Sequence, residues 1–153
     1  MRQDFYSGDG LLKYELIVCS DAHVSALFEL LSQRNHSVSH RDMPSRSDHE
    51  EFVQKNPYRV WYLVKYKECY IGTVYLTYEN HVGISLPSAC YSKFPDVLAW
   101  IAQSHQPLVG IKSVRPSCYQ INIPIGDVGL TDVLAKLGYK QVQVTYLLGN
   151  GPN

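Results

Sequence analysis

Two consecutive runs of β-branched and aromatic residues constrain the fold of this chain more than any other feature. Residues 59–66 read RVWYLVKY and residues 69–78 read CYIGTVYLTY, with only Lys67 and Glu68 between them. Such side chains suit the pleated surface of a sheet, and a two-residue connection joins antiparallel strands. The two runs are therefore predicted to form an antiparallel hairpin.

The rest of the chain alternates strand-like and helix-like segments, without an internal repeat or a linker that would divide two domains. A single α/β domain is predicted over residues 1–153, with residues 1–10 as a loose leader. Strands that flank a helix are predicted to be parallel. Further strands are predicted at residues 12–19, 81–86, 119–123 and 139–148, helices at residues 20–34, 47–56, 94–105 and 127–137, and loops at residues 35–46 and 87–93.

Capping signals mark several of these helix ends. Ser20 is predicted to cap the first helix, and Ser47 with Glu50 reads as a capping box for the second. Gly138 occupies the position where a glycine commonly ends a helix.

The bulk composition argues against several classes of partner. The formal net charge is +0 and the sequence pI is about 7.0, which disfavours a whole-domain electrostatic grip on nucleic acid or an anionic membrane. No apolar run approaches the roughly 20 residues of a membrane span, and the N-terminus lacks a secretory signal. The four cysteines are widely spaced, as is typical of reduced thiols in a cytoplasmic protein.

Three stretches of the second half resemble the GNAT acetyltransferases. They are residues 71–77 (IGTVYLT) with residues 80–86 (NHVGISL), residues 119–124 (YQINIP), and residues 133–140 (VLAKLGYK) followed by QVTY. The resemblance covers residues 12–148, with specific motifs only from residue 58 onward. It implies a mixed, mostly antiparallel sheet of six to seven strands, with helices on both faces and a splay between strands four and five.

The same resemblance implies acetyl-CoA as co-substrate. In that family the pantetheine arm lies along strand four, and the pyrophosphate sits on backbone N–H groups that head the next helix, where unpaired donors and the dipole favour an anion. Carried over to this chain, the pantetheine contacts would be Ile84, Ser85 and Leu86. The diphosphate would meet Ser92 and Lys93, and Asn122 would bond across the splayed strands.

The chain departs from the family pattern around this cofactor. Residues 89–94 (ACYSKF) replace a glycine-containing loop, and glycine is used there because the backbone must approach phosphate closely. Phe94 stands in place of a small residue. Leu134 takes the position at which many relatives place a tyrosine that protonates the leaving thiolate, and Asp127 stands where an asparagine is common.

Two residues are candidates for proton transfer. His81 begins strand four, and its ordinary pKa suits proton uptake from an amine near neutral pH. The alternative for His81 is an exposed histidine beside a turn. Tyr119 is a candidate for the proton donor missing at Leu134, and the alternative is an ordinary sheet tyrosine.

Other chemistry-bearing residues carry weaker signals. His36, His40, Asp42 and His49 lack metal-ligand spacing, so no metal site is predicted. Cys90 would be a reactive thiol if a helix end lowered its pKa, and otherwise an inert cysteine. Three large aromatic residues are predicted to be core, namely Trp61, Phe94 and Trp100.

Two functions follow from these observations. One is acyl-CoA-dependent N-acetyl transfer to a primary amine of a small molecule or amino-sugar-like acceptor, shaped by the loop at residues 35–46. The alternative is a catalytically inactive GNAT-like module that binds a protein or regulates, including an acyl-CoA sensor. A homodimer is also possible, because the final strand and an exposed sheet edge could pair between copies.

Overall fold

The computed structural model describes residues 5–6, 12–34 and 42–149. Predictions that fall on residues 1–4, 7–11, 35–41 and 150–153 lie outside the described residues. Within the expected loose leader, Phe5 and Tyr6 form a short strand, β1 (Phe5–Tyr6). It pairs antiparallel with β2 (Leu12–Leu16), so this part of the leader belongs to the sheet.

The predicted hairpin is confirmed by β3 (Val60–Tyr66) and β4 (Cys69–Leu76). Lys67 and Glu68 have φ angles of 46° and 64°. Two successive positive φ angles give a tight turn whose twist matches that of the flanking strands. Lys13 Nζ on the neighbouring strand lies 2.6 Å from Glu68 Oε1 and ties this turn to β2.

The six strands follow one another across the sheet in chain order, from β1 to β6. β5 (His81–Ser85) pairs antiparallel with β4, whereas β6 (Gln120–Ile121) pairs parallel with β5. The parallel pairing arises because helix α3 (Phe94–Ser104) returns the chain to the same end of the sheet. The mixed, mostly antiparallel sheet is therefore confirmed.

Two of the remaining helices begin or end where the capping signals place them. α1 (Asp21–Ser32) is capped by Ser20, whose side chain accepts a hydrogen bond from the backbone of His23. α4 (Val128–Lys136) is capped by Asp127, and the chain leaves it through Gly138, which has a φ of 85°.

The cap predicted for the second helix is wrong by two residues. α2 (Arg46–Lys55) is capped by Ser45, which accepts from the Asp48 N–H, and not by Ser47. Both serines precede an acidic residue by three positions, so the local pattern fits either. Arg46 Nη2 donates to Ser25 Oγ on α1 at 2.8 Å, and this tertiary contact favours the earlier start.

Helices cover both faces of the sheet. On one face α3 packs through Val97, Trp100 and Ile101, and the Trp100 ring stacks on Tyr14 with centroids 3.6 Å apart. On the other face α1 and α2 cover a second cluster around Trp61 and Leu63. The three predicted core aromatics are confirmed, at 6% exposure for Trp61, 0% for Phe94 and 3% for Trp100.

Three sequence predictions differ from the structure in the second half. Residues 87–93, expected to be a loop, contain a 3₁₀ helix (Ser88–Lys93). The strand expected at residues 119–123 is reduced to β6. The strand expected at residues 139–148 is not formed, and all of these residues are exposed. A strand needs a partner as well as a pattern, and this segment has the pattern alone.

Candidate functional site

The two parallel strands β5 and β6 separate soon after they begin. Their ladder joins His81 to Gln120 and Val82 to Ile121, and β6 ends there while β5 continues to Ser85. We call the space beyond these two pairs the wedge. It corresponds to the splay expected between strands four and five.

The backbone of β5 continues past the last rung that it shares with β6. The His81 carbonyl accepts from Thr77 on the β4 side, and the Asn80 carbonyl accepts from Gln120 on the β6 side. Because peptide groups alternate along a strand, those of Ile84 face the wedge beyond the end of the ladder. The Ile84 and Leu86 side chains pack against the cluster under α3, and Ser85 is paired in register with Thr73.

The 3₁₀ helix uses backbone N–H groups that would otherwise be free donors at the start of α3. The Phe94 N–H donates to the Tyr91 carbonyl, and the residue after Phe94 is proline, which has no N–H. The two predicted diphosphate contacts stay predictions. Ser92 is exposed, and Lys93 Nζ lies 4.6 Å from the centre of the Tyr66 ring at the end of β3.

A hydrogen bond joins the segments that leave the two diverging strands. Tyr91, in the 3₁₀ helix after β5, donates its Oη to Asp127 Oδ2 at 2.5 Å, and Asp127 is the cap of α4 after β6. Asp127 is buried, and its Oδ1 accepts from Leu130 N. A Cβ at Gly129 would lie 3.0 Å from the Tyr91 ring. Partial burial, together with the Asp127 carboxylate, raises the pKa of Tyr91 to about 12.

The two ends of this site differ in how well they fit acetyl-CoA. The peptide groups of Ile84, which face the wedge, suit an extended pantetheine arm. The diphosphate end does not fit, because no glycine gives the backbone close access and the Phe94 N–H is already bonded to the Tyr91 carbonyl. Asp127 adds a carboxylate that would repel a diphosphate. The residues present at this end therefore do not hold the cofactor in the described conformation.

A second open space lies at the other end of the same strand pair. It is a cleft of about 670 Å³ beside the first residues of β5 and β6, and it contains both His81 and Gln120. Charged side chains of both signs line it, from Glu79, Lys112 and Arg115. The His81 ring is partly exposed in this cleft, where it can meet a small polar ligand.

Asn80 organises this cleft, although the sequence identified it only as part of a turn. Its side chain is fully buried and donates to the carbonyls of Leu108 and Pro116, while its Oδ1 accepts from the Leu108 N–H, each at 2.8 Å. Its φ of 63° is one that asparagine tolerates better than most residues. The sequence shows an asparagine in the Glu79–Asn80 turn. It does not show which distant residues the side chain of that asparagine bonds to.

The remaining candidates do not meet at one centre. Tyr119 packs against the cluster under α3, and its buried hydroxyl has no hydrogen-bond partner among the described residues. Asn122 is exposed beyond the end of β6. Leu134 is partly buried on α4. None of the described contacts joins Tyr119 or Asn122 to His81.

The predicted absence of a metal site stays a prediction. His49 is buried against Phe28, with ring centroids 5.3 Å apart, and burial lowers its pKa. Asp42 is exposed, whereas His36 and His40 lie outside the described residues. Within residues 12–34 and 42–149, no three His, Cys, Asp or Glu side chains form a ligand cluster.

The four cysteines are free, and Cys90 is partly buried in the 3₁₀ helix. Across the described part of the chain, no helix has the length and apolar character needed to cross a bilayer.

Known structures resemble this fold although sequences do not. No family model matches the chain, and no curated protein matches it by sequence. A possible acetyltransferase from Clostridium difficile 630 superposes with a TM-score of 0.56 at 8% identity, covering 94% of this chain and 99% of that one.

Two further structures agree. An aminoglycoside acetyltransferase from an uncultured soil metagenomic sample, in complex with sisomicin, gives a TM-score of 0.54 at 11% identity over 94% of this chain and 99% of that one. AAC(6')-Iy, in complex with the bisubstrate analog CoA-S-monomethyl-acetylneamine, gives 0.53 at 12% identity over 92% of this chain and 99% of that one. Together with the diverging parallel strands, these likenesses show that the chain has the GNAT-like fold of acetyltransferases.

Proposed function

We propose that this chain is a catalytically inactive GNAT-like module that acts by binding another protein. The observation that carries the proposal is the Tyr91–Asp127 hydrogen bond, which closes the route between the segments leaving β5 and β6. A short hydrogen bond from a tyrosine to a buried, capping carboxylate is among the stronger kinds. Asp127 serves two contacts, because its Oδ2 accepts from Tyr91 and its Oδ1 caps α4.

The arrangement of the proton-transfer candidates supports the same proposal. Acetyl transfer requires a base for the amine, a donor for the oxyanion and a proton for the leaving thiolate. Leu134 cannot supply that proton. Tyr119 lies in the core under α3, at the first end of β6 and not at the wedge. Only His81 remains as a candidate, and it lies in a cleft at the far end of β5.

A second function is favoured by the peptide groups of Ile84, which face the wedge. It is acyl-CoA-dependent N-acetyl transfer to a primary amine of a small molecule or an amino-sugar-like acceptor. Two of the structural neighbours were solved with sisomicin or with a CoA bisubstrate analog, which are ligands of those proteins. In this function the cleft would receive the amine, His81 would accept its proton, and acetyl-CoA would supply the acetyl group.

Titration calorimetry with acetyl-CoA and with free CoA separates the two functions. The inactive module predicts no saturable heat up to about 1 mM ligand, which corresponds to binding weaker than about 4 kcal/mol. Saturable binding at tens of micromolar, with acetylation of an amine such as sisomicin, would overturn the proposal. In that case His81→Ala should lower turnover and leave cofactor affinity unchanged.

A set of matched variants tests whether the Tyr91–Asp127 hydrogen bond is what prevents CoA from binding. Tyr91→Ala removes both the ring and the hydrogen bond, and we expect it to bind CoA more tightly than the wild type. Tyr91→Phe keeps the ring but removes the hydrogen bond, and we expect it also to bind CoA more tightly than the wild type. Tyr78→Ala, which removes an exposed tyrosine elsewhere, controls for the loss of a tyrosine as such. A wild type that already binds as well as Tyr91→Ala contradicts a closed wedge.

A further inference from the structure

Between α3 and β6 the chain folds back on itself in a closed loop, residues 108–116, which we call the clamped loop. The Asn80 side chain bonds to both of its ends. It donates to the carbonyls of Leu108 and Pro116 and accepts from the Leu108 N–H, each at 2.8 Å. Compact surface loops whose ends lie close together are frequently functional. The clamped loop is therefore fixed at the start of β5.

The Arg115 guanidinium fixes the inside of the clamped loop. Its Nε and Nη2 donate to the Val109 carbonyl at 2.9 and 2.7 Å, and its Nη1 donates to the Tyr78 carbonyl at 2.9 Å. Ile111 and Arg115 also form an antiparallel bridge, which closes the turn between them. A loop that is already held in one conformation loses less conformational entropy when it binds a partner.

The clamped loop presents apolar side chains to solvent although it is well ordered by these contacts. Val109, Ile111 and Val114 are 83%, 49% and 69% exposed. Single exposed aliphatic residues are normal, but a group of them on one loop beside a cleft is typical of a binding surface. Ile111 and Val114 also line the cleft that holds His81. The loop and the cleft therefore form one continuous surface.

The charge of this region indicates the chemistry of a partner. Residues 97–126 contain no Asp or Glu, and Lys112 and Arg115 are their only Lys or Arg. Lys112 is exposed, and none of the ion pairs among the described residues includes either of these two cations. The cleft wall also contains Glu79, so the excess of positive charge lies on the loop. A partner that complements this charge is acidic.

We propose that the clamped loop is the surface through which this chain binds another protein, and that the partner presents a short segment of aliphatic and acidic residues. The aliphatic side chains of that segment pack on Val109, Ile111 and Val114, and a carboxylate pairs with Lys112. Arg115 continues to hold the loop. The inference rests on the proposed protein-binding function, and it names the surface and the chemistry of the partner.

A nucleic acid and a second copy of the chain fit this surface less well. Nucleic acids are bound by several cations that follow the phosphate backbone. The clamped loop has two cations, and Arg115 already donates to carbonyls. Aliphatic side chains also lack the flat rings on which unpaired bases stack. Two copies that met loop to loop would bring like charges together, which disfavours that contact.

The test begins with short random peptides displayed on phage and selected against the full chain. We expect the enriched peptides to carry Asp or Glu close in sequence to Leu, Ile or Val. A synthetic copy of an enriched peptide should bind the wild type with a Kd of about 10–100 µM, as suits a small, transient contact. No enrichment, or enrichment of basic or uncharged peptides, would overturn the proposal.

Variants of the loop locate the contact. Val109→Ser combined with Val114→Ser removes two apolar contacts and should weaken binding of this peptide by about tenfold or more in fluorescence anisotropy. Lys112→Glu reverses the exposed charge and should weaken binding by about fivefold to tenfold at low salt, with a smaller effect at high salt. Peptide binding that neither variant weakens would contradict the clamped loop as the surface.

Matched control variants make the same changes elsewhere. Val18→Ser combined with Val128→Ser replaces two valines that are 56% and 67% exposed, and Lys140→Glu reverses another exposed lysine. These controls should bind the peptide as the wild type does, and every variant should keep its circular dichroism. A loss of binding in the controls as large as in the loop variants would overturn the proposal, because the effect would then not depend on the loop.

Hydrogen exchange identifies the surface that the peptide covers, and we expect the amides of the clamped loop to gain protection. Protection at residues 139–148 or at the wedge alone would overturn this surface and leave a protein-binding function intact. A short RNA that displaces the peptide, or a dimer that the paired serine variant of the loop abolishes in sedimentation, would overturn the acidic segment as the occupant. Calorimetry with CoA tests the wedge alone, so the two proposals can fail separately.

Discussion

The antiparallel part of the sheet and the part beyond β5 differ in how completely they are buried. In the first, Leu63, Val64 and Val74 are fully buried between helices on both faces. In the second, a two-residue parallel ladder lies between the wedge and the cleft, and residues 139–148 are exposed. One chain therefore combines a closed core with a sheet that stops before its edge is covered.

The difference follows from how each pairing is reached. Antiparallel neighbours are joined by tight turns, so a strand meets its partner at low entropic cost. A parallel neighbour requires a long crossover, here α3 and the segment after it. Whereas α3 is packed in the core, the segment after it is held by the Asn80 side chain.

The largest contrast should come from one substitution made in both parts. Leu63→Ala removes a side chain with 0% exposure and should lower the free energy of unfolding by about 3–4 kcal/mol, through lost burial and the cavity left behind. Leu148→Ala changes a residue with 98% exposure and should cost less than about 0.5 kcal/mol. Urea unfolding measures both. A large effect at Leu148 would mean that residues 139–148 pack against the rest of the chain.

A smaller effect is expected at Asn80, where the two parts meet. Asn80→Ala leaves the Leu108 N–H and two carbonyls without their partners and places alanine at a positive φ, which together should cost about 3 kcal/mol. Exchange of the amides at residues 107–118 should rise more than that of β3 and β4. Equal loosening of both regions would contradict a local role for Asn80.

The smallest effect concerns pH. Burial, aided by Arg59, lowers the pKa of His105, whose Nε2 lies 3.1 Å from Tyr62 Oη. The unfolded chain therefore binds more protons than the folded chain as pH falls through about 6.5, so acidification lowers stability. Because the ring is partly solvated, the loss between pH 7.5 and 5.5 should be under about 1 kcal/mol.

His105→Gln should reduce this slope, and adding His49→Gln should reduce it further, since burial lowers the pKa of His49 in the same direction. Thermal unfolding at several pH values measures the slopes. A steeper slope in His105→Gln than in the wild type would contradict the assigned direction.

Local patterns predicted the elements whose partners lie nearby. The hairpin at Lys67–Glu68, the cap at Ser20 and the stop at Gly138 depend on a few neighbouring residues, and all three are found in the structure. The cap at Ser47 was wrong because two overlapping patterns compete within one segment, and the contact of Arg46 with Ser25 decides between them.

The candidate site could be predicted only in outline. The sequence identified the fold, the glycine-free loop and His81, and it raised doubt about Asp127 and Phe94. It did not indicate that Tyr91 bonds to Asp127 or that Asn80 holds the crossover, because those partners lie 36 and 28 residues apart. Side-chain type restricts what a residue can bond, but the fold selects the partner.

The sequence by itself determined the alternation of elements, the hairpin and the apolar face of residues 139–148. Each of these depends on residues that lie two to four positions apart. Only the tertiary structure decided that Tyr91 bonds to Asp127 and that residues 139–148 do not form a strand. Strand pairing and side-chain bridges depend on which distant surfaces meet, and a period-two pattern specifies a face without specifying its neighbour.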